Sequence, residues 1–184
     1  MSSIEIIGAL ISLLYLRLEY KANRWLWPVG MITPLIYIYI FFINKFYGVM
    51  GINVYYLIAS IYGWYNWKKN EPDESKSRII RLPLNLVWKL FIIFTILFAV
   101  LSWILSGYTD SAVPYADAVI AALSIVGMWM LTHKYAEQWL VWLVVNLIST
   151  GIYFRQELYP TSILFLIYAV VSVFGYLRWI KQGP

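Results

Sequence analysis

The chain has 184 residues, of which 62% are hydrophobic and only 12% are charged, and its formal net charge is +5. A soluble domain of this size cannot bury so large an apolar fraction, so much of the surface must face lipid. The lack of cysteine and the single histidine, His133, exclude disulfides and leave too few ligands for a metal site. We therefore expect a membrane protein without a cofactor or a bound metal.

Seven stretches of the sequence are predicted to be membrane helices. The N-terminal MSSIEIIGALISLLYL lacks a basic region and a cleavage site, so we interpret it as a retained helix and not as a signal peptide. Each stretch is close to the roughly 20 residues that a helix needs to cross a bilayer. The predicted helices cover about 4–20, 25–43, 48–67, 86–106, 114–132, 136–153 and 159–179.

The basic residues lie mainly on one side of this predicted topology. Eleven of the 14 Lys and Arg residues fall in the loops after the first, third and fifth helices or at the C-terminus. On the opposite side lie Lys45 and Arg155, while Lys89 lies just inside the fourth helix. The positive-inside rule therefore predicts an N-terminus outside the cell and a C-terminus in the cytoplasm, and it explains the net charge without a nucleic-acid partner.

The sequence contains an internal repeat. The segment from Trp27 to Lys69 aligns without a gap on the segment from Trp139 to Lys181, and twelve of 43 positions are identical, where shared composition would give about four. If the first three helices repeat as the last three, the single helix between them makes the repeats parallel, which is an architecture of transporters. We expect an all-α 3+1+3 fold with a central crevice between the repeats. Its parts are residues 1–67, a cytoplasmic loop and linker helix over 68–113, and residues 114–184.

The sixth predicted helix carries the strongest candidate site. In AEQWLVWLVVNLIST, Trp139, Trp142 and Asn146 share one helical face. An indole can stack on a flat heterocycle, and a cationic ring adds a cation–π attraction, while an amide can both donate and accept at the edge of the ring. This pattern favours a small planar polar solute. Alternatively, Trp139 anchors the helix at the membrane interface, and Asn146 only bridges neighbouring helices.

Two further groups are weaker candidates for the same site. Asn53, Tyr56, Ser60 and Trp64 follow helical spacing in the third helix, although Asn53 could simply cap that helix. In the fifth helix, Asp117 could pair with a cationic solute, or it could only stabilise the helix N-terminus shortly after a proline. A membrane enzyme would need convergent ionisable groups within the bilayer, and Asp117 is the one candidate, so we do not predict an enzyme.

Three segments carry a resemblance to a known family. NRWLWPVGMITPLIYIYIFF, YGWYNW and KYAEQWLVWLVVNLIS resemble the Pnu family of bacterial vitamin transporters, and the likeness extends over nearly the whole chain. The resemblance implies a SWEET-like fold of two parallel three-helix repeats with a linking helix, in the bacterial inner membrane. It also implies facilitated diffusion by alternating access, with the vitamin trapped by phosphorylation inside the cell, and a homotrimer for the nicotinamide riboside branch.

The transported vitamin is expected to be thiamine, because FYGVMGINVYYLIASIYGWYNW looks more similar to the thiamine branch of the family. Nicotinamide riboside is the alternative. Both molecules are cations with a flat aromatic ring, so stacking on tryptophan and an amide contact would serve either of them. The alternative from another class is a membrane assembly subunit that transports nothing and needs no crevice for a solute.

Overall fold

The computed structural model describes residues 3–43, 47–70, 79–109 and 111–182, and these form seven α-helices. The helices are α1 (Ser3–Tyr20), α2 (Leu26–Ile43), α3 (Tyr47–Asn70), α4 (Leu84–Tyr108), α5 (Pro114–Thr132), α6 (Gln138–Arg155) and α7 (Tyr159–Gln182). An isolated bridge between Ile80 and Tyr135 is the one extended pairing within the described ranges. The prediction of an all-α protein with seven helices is confirmed.

Three of the described helices, α4, α5 and α7, are long and apolar enough to cross a membrane. Helix α2 contains a shorter apolar stretch, Leu26–Ile40. Helix α4 exposes large apolar side chains around most of its circumference, including Trp88, Ile96 and Trp103. A helix that is apolar on all sides must be covered by lipid or by other protein, so α4 supports the membrane assignment most directly.

The chain divides into two compact units, Met1–Arg78 and Ile79–Pro184. Within the first unit, α1 packs on α2 and α2 packs extensively on α3. Within the second, α4 packs on α5, α5 on α6, and α6 extensively on α7. A small apolar core of Leu90, Val126 and Met130 joins α4 to α5, so the linker helix belongs to the same unit as the last three helices.

The helix boundaries repeat in the same register as the sequence. Helices α2 and α6 begin and end at positions that the repeat aligns, and so do α3 and α7. Helices α1 and α5 both end in a turn with a left-handed residue, Ala22 (φ 51°) and Lys134 (φ 59°), which are again aligned positions. In the first turn the Asn23 N–H donates to the Leu18 carbonyl, and the second turn repeats this bond at the same spacing, as in a Schellman motif.

Each unit also contains one buried pair of tryptophans in an edge-to-face contact. Trp27 and Trp67 have ring centroids 5.4 Å apart at 89°, and Trp139 and Trp179 have centroids 5.8 Å apart at 89°. All four side chains are buried. The pairs join α2 to α3 and α6 to α7, so the same aromatic contact fixes equivalent helices in both units.

Glycine lies beside one ring of each pair. A methyl group at Gly63 would lie 2.6 Å from Cε2 of Trp27, and a methyl group at Gly175 would lie 2.6 Å from Cε2 of Trp139. Both distances are too short for any side chain beyond hydrogen. The matched glycines therefore allow an indole to lie directly against the backbone of the neighbouring helix, as small residues do between membrane helices.

Candidate functional site

Helix α6 separates its three candidate side chains into different environments. Trp139 is only 1% exposed, and its ring lies in the interface with α7, against Trp179 and Gly175. The ring therefore faces protein, not lipid, which argues against an interface anchor. Its contacts also make Trp139 a packing residue of the second unit.

Asn146 lies one helical turn beyond Trp142 and is buried. Its Nδ2 donates to the Ser172 hydroxyl at 3.4 Å, near the upper limit for a hydrogen bond, and Ser172 in turn donates to the Tyr168 carbonyl at 2.8 Å. Within the described ranges the Asn146 Oδ1 accepts no hydrogen bond. One acceptor and one amide hydrogen of this side chain are therefore left for a ligand.

Two further bonds fix the backbone around this amide. The Thr150 hydroxyl donates to the Asn146 carbonyl at 2.8 Å, and the Ser162 hydroxyl donates from α7 to the Thr150 carbonyl at 2.9 Å. The first bond lies within α6, and the second joins α7 to α6 one turn beyond Asn146, so polar groups near the site are satisfied inside the protein, as membrane depth requires. The predicted bridging role of Asn146 is thus present, but it uses only part of the amide.

Trp142 packs in the other direction, toward α5. A methyl group at Gly127 would lie 3.5 Å from Cε2 of the Trp142 ring and 3.2 Å from Cγ1 of Val141, so the ring lies beside α5 next to Val141. The indole is half-buried, and its Nε1 is enclosed without a hydrogen-bond partner in the part of the chain that the structure describes. The Nε1 atoms of Trp27 and Trp139 also have no partner among the described residues, but those rings are fully buried, so Trp142 is the one of the three with ring surface left for a ligand.

The four α3 candidates lie in the first unit. Ser60 is fully buried, and its hydroxyl has no partner among the residues that the structure describes. Asn53, Tyr56 and Trp64 are half-buried, and the Trp64 ring lies 5.5 Å from that of Trp25. The stripe therefore includes one enclosed hydroxyl and three side chains with partly accessible surfaces.

Asp117 lies in the first turn of α5, where it is half-buried. The Ser111 hydroxyl donates to its Oδ2, and the Val113 N–H donates to the Ser111 oxygen at 3.2 Å. This arrangement places a carboxylate next to the positive end of the helix dipole. It supports the structural interpretation of Asp117 more directly than a contact with a solute.

Sequence reasoning did not find the clamp at the start of α4. Glu137 accepts from the Arg81 Nε at 2.8 Å and from the Leu82 N–H at 2.8 Å. The Ile80 N–H donates to the Lys134 carbonyl at 3.0 Å next to it. These contacts join segments that are distant in the sequence, and no sequence pattern links them. The clamp fixes the turn from which α6, with its candidate site, begins.

Helices apolar enough to span a bilayer, together with a partly satisfied amide and an enclosed indole N–H, fit a membrane transporter for a small polar solute. The family model of the nicotinamide mononucleotide transporter matches residues 2–181. The chain belongs to this family, and the Pnu resemblance expected from the sequence is confirmed.

Several characterised proteins are similar to the chain. The nicotinamide riboside transporter PnuC of Escherichia coli (strain K12) is 28% identical over 208 residues, covering 100% of this chain and 87% of the relative. PnuC of Neisseria mucosa is 26% identical, covering 83% of this chain and 62% of the relative. The riboflavin/roseoflavin transporter RibM of Streptomyces davaonensis is 23% identical, covering 95% and 83%.

A solved structure has the same fold. The crystal structure of the vitamin B3 transporter PnuC matches with a TM-score of 0.72 at 24% identity, covering 96% of this chain and 80% of that chain. The relatives named here transport nicotinamide riboside or riboflavin. The expected closeness to the thiamine branch is therefore not supported, and the nicotinamide riboside branch, the alternative, fits better.

Proposed function

We propose that this protein takes up nicotinamide riboside by facilitated diffusion, through alternating access, with metabolic trapping in the cytoplasm. The observation that carries the proposal is the pair of available groups on α6. Asn146 retains an acceptor and a donor, and Trp142 has an enclosed N–H without a partner among the described residues. Both lie in a chain of the transporter family whose relatives include nicotinamide riboside transporters.

The chemistry of the two groups suits this solute. Nicotinamide riboside consists of a flat pyridinium cation with a carboxamide and a ribose. The face of Trp142 would attract the pyridinium by stacking and by a cation–π interaction. The carboxamide could then exchange two hydrogen bonds with the Asn146 amide, since each amide both donates and accepts. Thiamine satisfies the stacking equally well, so the preference for nicotinamide riboside rests on the relatives.

The proposed contacts centre on Trp142 and Asn146, with Ser172 orienting the amide. Trp139 would support this site by packing, because its ring is enclosed against Trp179. In the first unit, taken by itself, the residues that we propose to contact the solute are Asn53, Tyr56, Ser60 and Trp64. Asp117 would attract the cationic solute on the outer side of the membrane, through the charge of its carboxylate near the start of α5.

The proposed topology places the N-terminus outside and the C-terminus in the cytoplasm of a bacterial inner membrane. The asymmetric distribution of Lys and Arg supports this orientation. The matched helix bounds, turns and tryptophan pairs support two parallel repeats joined by α4, as in a SWEET-like fold. The exposed apolar side chains of α4 are compatible with a homotrimer, which we include in the proposal.

Uptake into liposomes tests the proposal. Purified protein is reconstituted, and entry of radiolabelled nicotinamide riboside is followed without an ion gradient, with unlabelled thiamine and riboflavin as competitors. We expect saturable uptake that stops when the inside and outside concentrations are equal. Thiamine competing more strongly than unlabelled nicotinamide riboside would overturn the substrate assignment, and dependence on an imposed proton or sodium gradient would overturn facilitated diffusion.

Two substitutions test the site within the same assay. Trp142→Ala should weaken binding by about 10-fold or more, through lost stacking and cation–π attraction. Asn146→Ala should weaken it by roughly 3- to 10-fold, the effect of losing neutral hydrogen bonds. Trp103→Ala and Thr95→Ala on the exposed face of α4 are the matched controls and should leave uptake unchanged. If the site variants and the control variants take up the solute equally well, the proposal that Trp142 and Asn146 of α6 bind the solute is wrong.

A further inference from the structure

The internal repeat is interrupted by an exchange of large and small residues. Position 15 of α1 corresponds to position 127 of α5, and position 30 of α2 corresponds to position 142 of α6. The first unit has Tyr15 and Gly30 at these places, whereas the second has Gly127 and Trp142. Each unit therefore has one aromatic ring and one glycine, but the ring comes from a different helix in each.

Each ring lies near the glycine of its own unit, but at a different distance. A methyl group at Gly30 would lie 2.8 Å from Cε2 and 3.3 Å from Cδ2 of Tyr15, so the Tyr15 ring lies directly on the α2 backbone. In the second unit the Trp142 ring approaches Gly127 less closely, since a methyl group there would lie 3.5 Å from Cε2 of Trp142 and 3.2 Å from Cγ1 of Val141. Both rings are half-buried, so each keeps part of its surface accessible. The first unit thus presents an aromatic surface that corresponds to Trp142.

Ser60 of α3 lies beside this ring and differs from its counterpart in the second unit. Its hydroxyl is 3.8 Å from the position of a methyl group at Gly30, and the side chain is fully buried. The corresponding Ser172 donates to a backbone carbonyl and accepts from Asn146. Ser60 makes neither bond with any described residue, and Pro34 occupies the place that corresponds to Asn146.

A buried hydroxyl without a partner is costly at membrane depth, where water cannot satisfy it. A serine in a membrane helix can readily bond the carbonyl of the preceding turn, as Ser172 does, so the free hydroxyl of Ser60 requires another explanation. A solute with its own hydroxyl groups would supply the missing partner. The Tyr15 ring next to it would cover the flat part of the same solute.

We propose that Tyr15 joins Ser60 among the solute-contacting residues of the first unit, and that Gly30 positions the Tyr15 ring. Tyr15 provides an aromatic surface for the cationic heterocycle, and Ser60 provides a hydrogen bond to a hydroxyl of the sugar. This inference rests on the proposed function. Within the first unit it assigns an aromatic surface, and a residue that selects for a glycosylated vitamin over the free base.

Binding to the purified full-length protein tests this proposal. Wild-type protein is titrated calorimetrically with nicotinamide riboside, thiamine and riboflavin, and the tightest ligand is then used for every variant. Ser60→Ala should weaken binding by roughly 3- to 10-fold and Tyr15→Leu by about 10-fold, while Tyr15→Phe stays within about 2-fold because the ring remains. Thermal midpoints measured in parallel detect a purely structural role, which would lower the midpoint and leave the affinity unchanged.

Gly30→Ala tests the position of the ring without removing a contact group. The new methyl group must displace Tyr15, so affinity should fall by about 5-fold or more. Gly51→Ala is the matched control, because no atom lies within 4 Å of its added methyl group. This inference would be overturned if Ser60→Ala and Tyr15→Leu bind the ligand as tightly as the wild type while Trp142→Ala binds it more weakly. That result would leave the proposed function intact. Tightest binding of thiamine or riboflavin would instead overturn the proposed substrate, and the same variants would then test the contacts with that vitamin. Failure to bind any of the three vitamins would overturn both proposals.

Discussion

Replacing Gly175 by alanine should destabilise the second unit through a clash with Trp139. The added methyl group would lie 2.6 Å from Cδ2 and Cε2 and 2.8 Å from Cε3 of the indole. Ordinary contact begins near 3.4 Å, so the ring and α7 must separate by about 0.8 Å. The indole has little room to retreat, because Trp179 packs against it edge-to-face at 5.8 Å and both rings are buried.

The expected loss follows from two opposing effects. Overpacking a tight contact costs about 1–3 kcal/mol, and the short distances here place Gly175→Ala at the upper end of that range. Alanine is favoured over glycine in a helix by about 1 kcal/mol, which offsets part of the loss. The net destabilisation should be about 1–2 kcal/mol, or about 3–6 °C in the thermal midpoint for a chain of this size.

The assay is the fraction of purified, detergent-solubilised protein that remains monodisperse after heating. Gly151→Ala is the control, because no atom lies within 4 Å of its added methyl, and its midpoint should equal or slightly exceed that of the wild type. Adding Trp139→Phe to Gly175→Ala should recover part of the loss, because the smaller ring makes room. If Gly175→Ala has the same thermal midpoint as Gly151→Ala, the Trp139 ring does not pack closely on α7.

Two further predictions concern the turns that precede α2, α4 and α6. Glu137→Ala should destabilise the protein by about 1–2 kcal/mol and lower its thermal midpoint, because it leaves the Leu82 N–H without its acceptor. Arg81→Ala is the control: it removes only an exposed ion-pair partner and should cost under about 1 kcal/mol. Equal losses would contradict this role of the backbone bond. Ala22→Gly should stabilise the protein by up to about 1 kcal/mol and raise the midpoint, because Ala22 has a left-handed backbone (φ 51°) that glycine adopts without strain. Ala59→Gly, in regular helix, should reduce the stability by a similar amount and lower the midpoint. A lower midpoint for Ala22→Gly would show that its methyl matters more than its backbone strain.

The sequence alone predicted the features that depend on local composition. Apolar runs of bilayer-spanning length predicted all seven helices, and α2, α3, α6 and α7 lie where the spans and the repeat placed them. The family followed from short motifs, and the family model confirmed it. Hydropathy and helical spacing are properties of neighbouring residues, which is why these predictions needed no tertiary information.

The partners of each side chain were decided by tertiary packing. The pattern placed Trp139, Trp142 and Asn146 on one face, yet Trp139 lies against Trp179, Trp142 against Gly127, and Asn146 beside Ser172. A helical face about 100° wide contacts two neighbouring helices at once, so spacing cannot show which residue meets which helix.

The exchange between Tyr15 and Gly30 in one unit and Gly127 and Trp142 in the other shows the same limit. Alignment of the repeats gives only mismatches at these positions, because the ring comes from a different helix in each unit. The shared feature is an indole or phenol ring near a glycine of the neighbouring helix, and it becomes visible only when two helices are packed together. Helix formation depends on nearby residues, whereas the shape of a site depends on side-chain volumes contributed by helices distant in sequence.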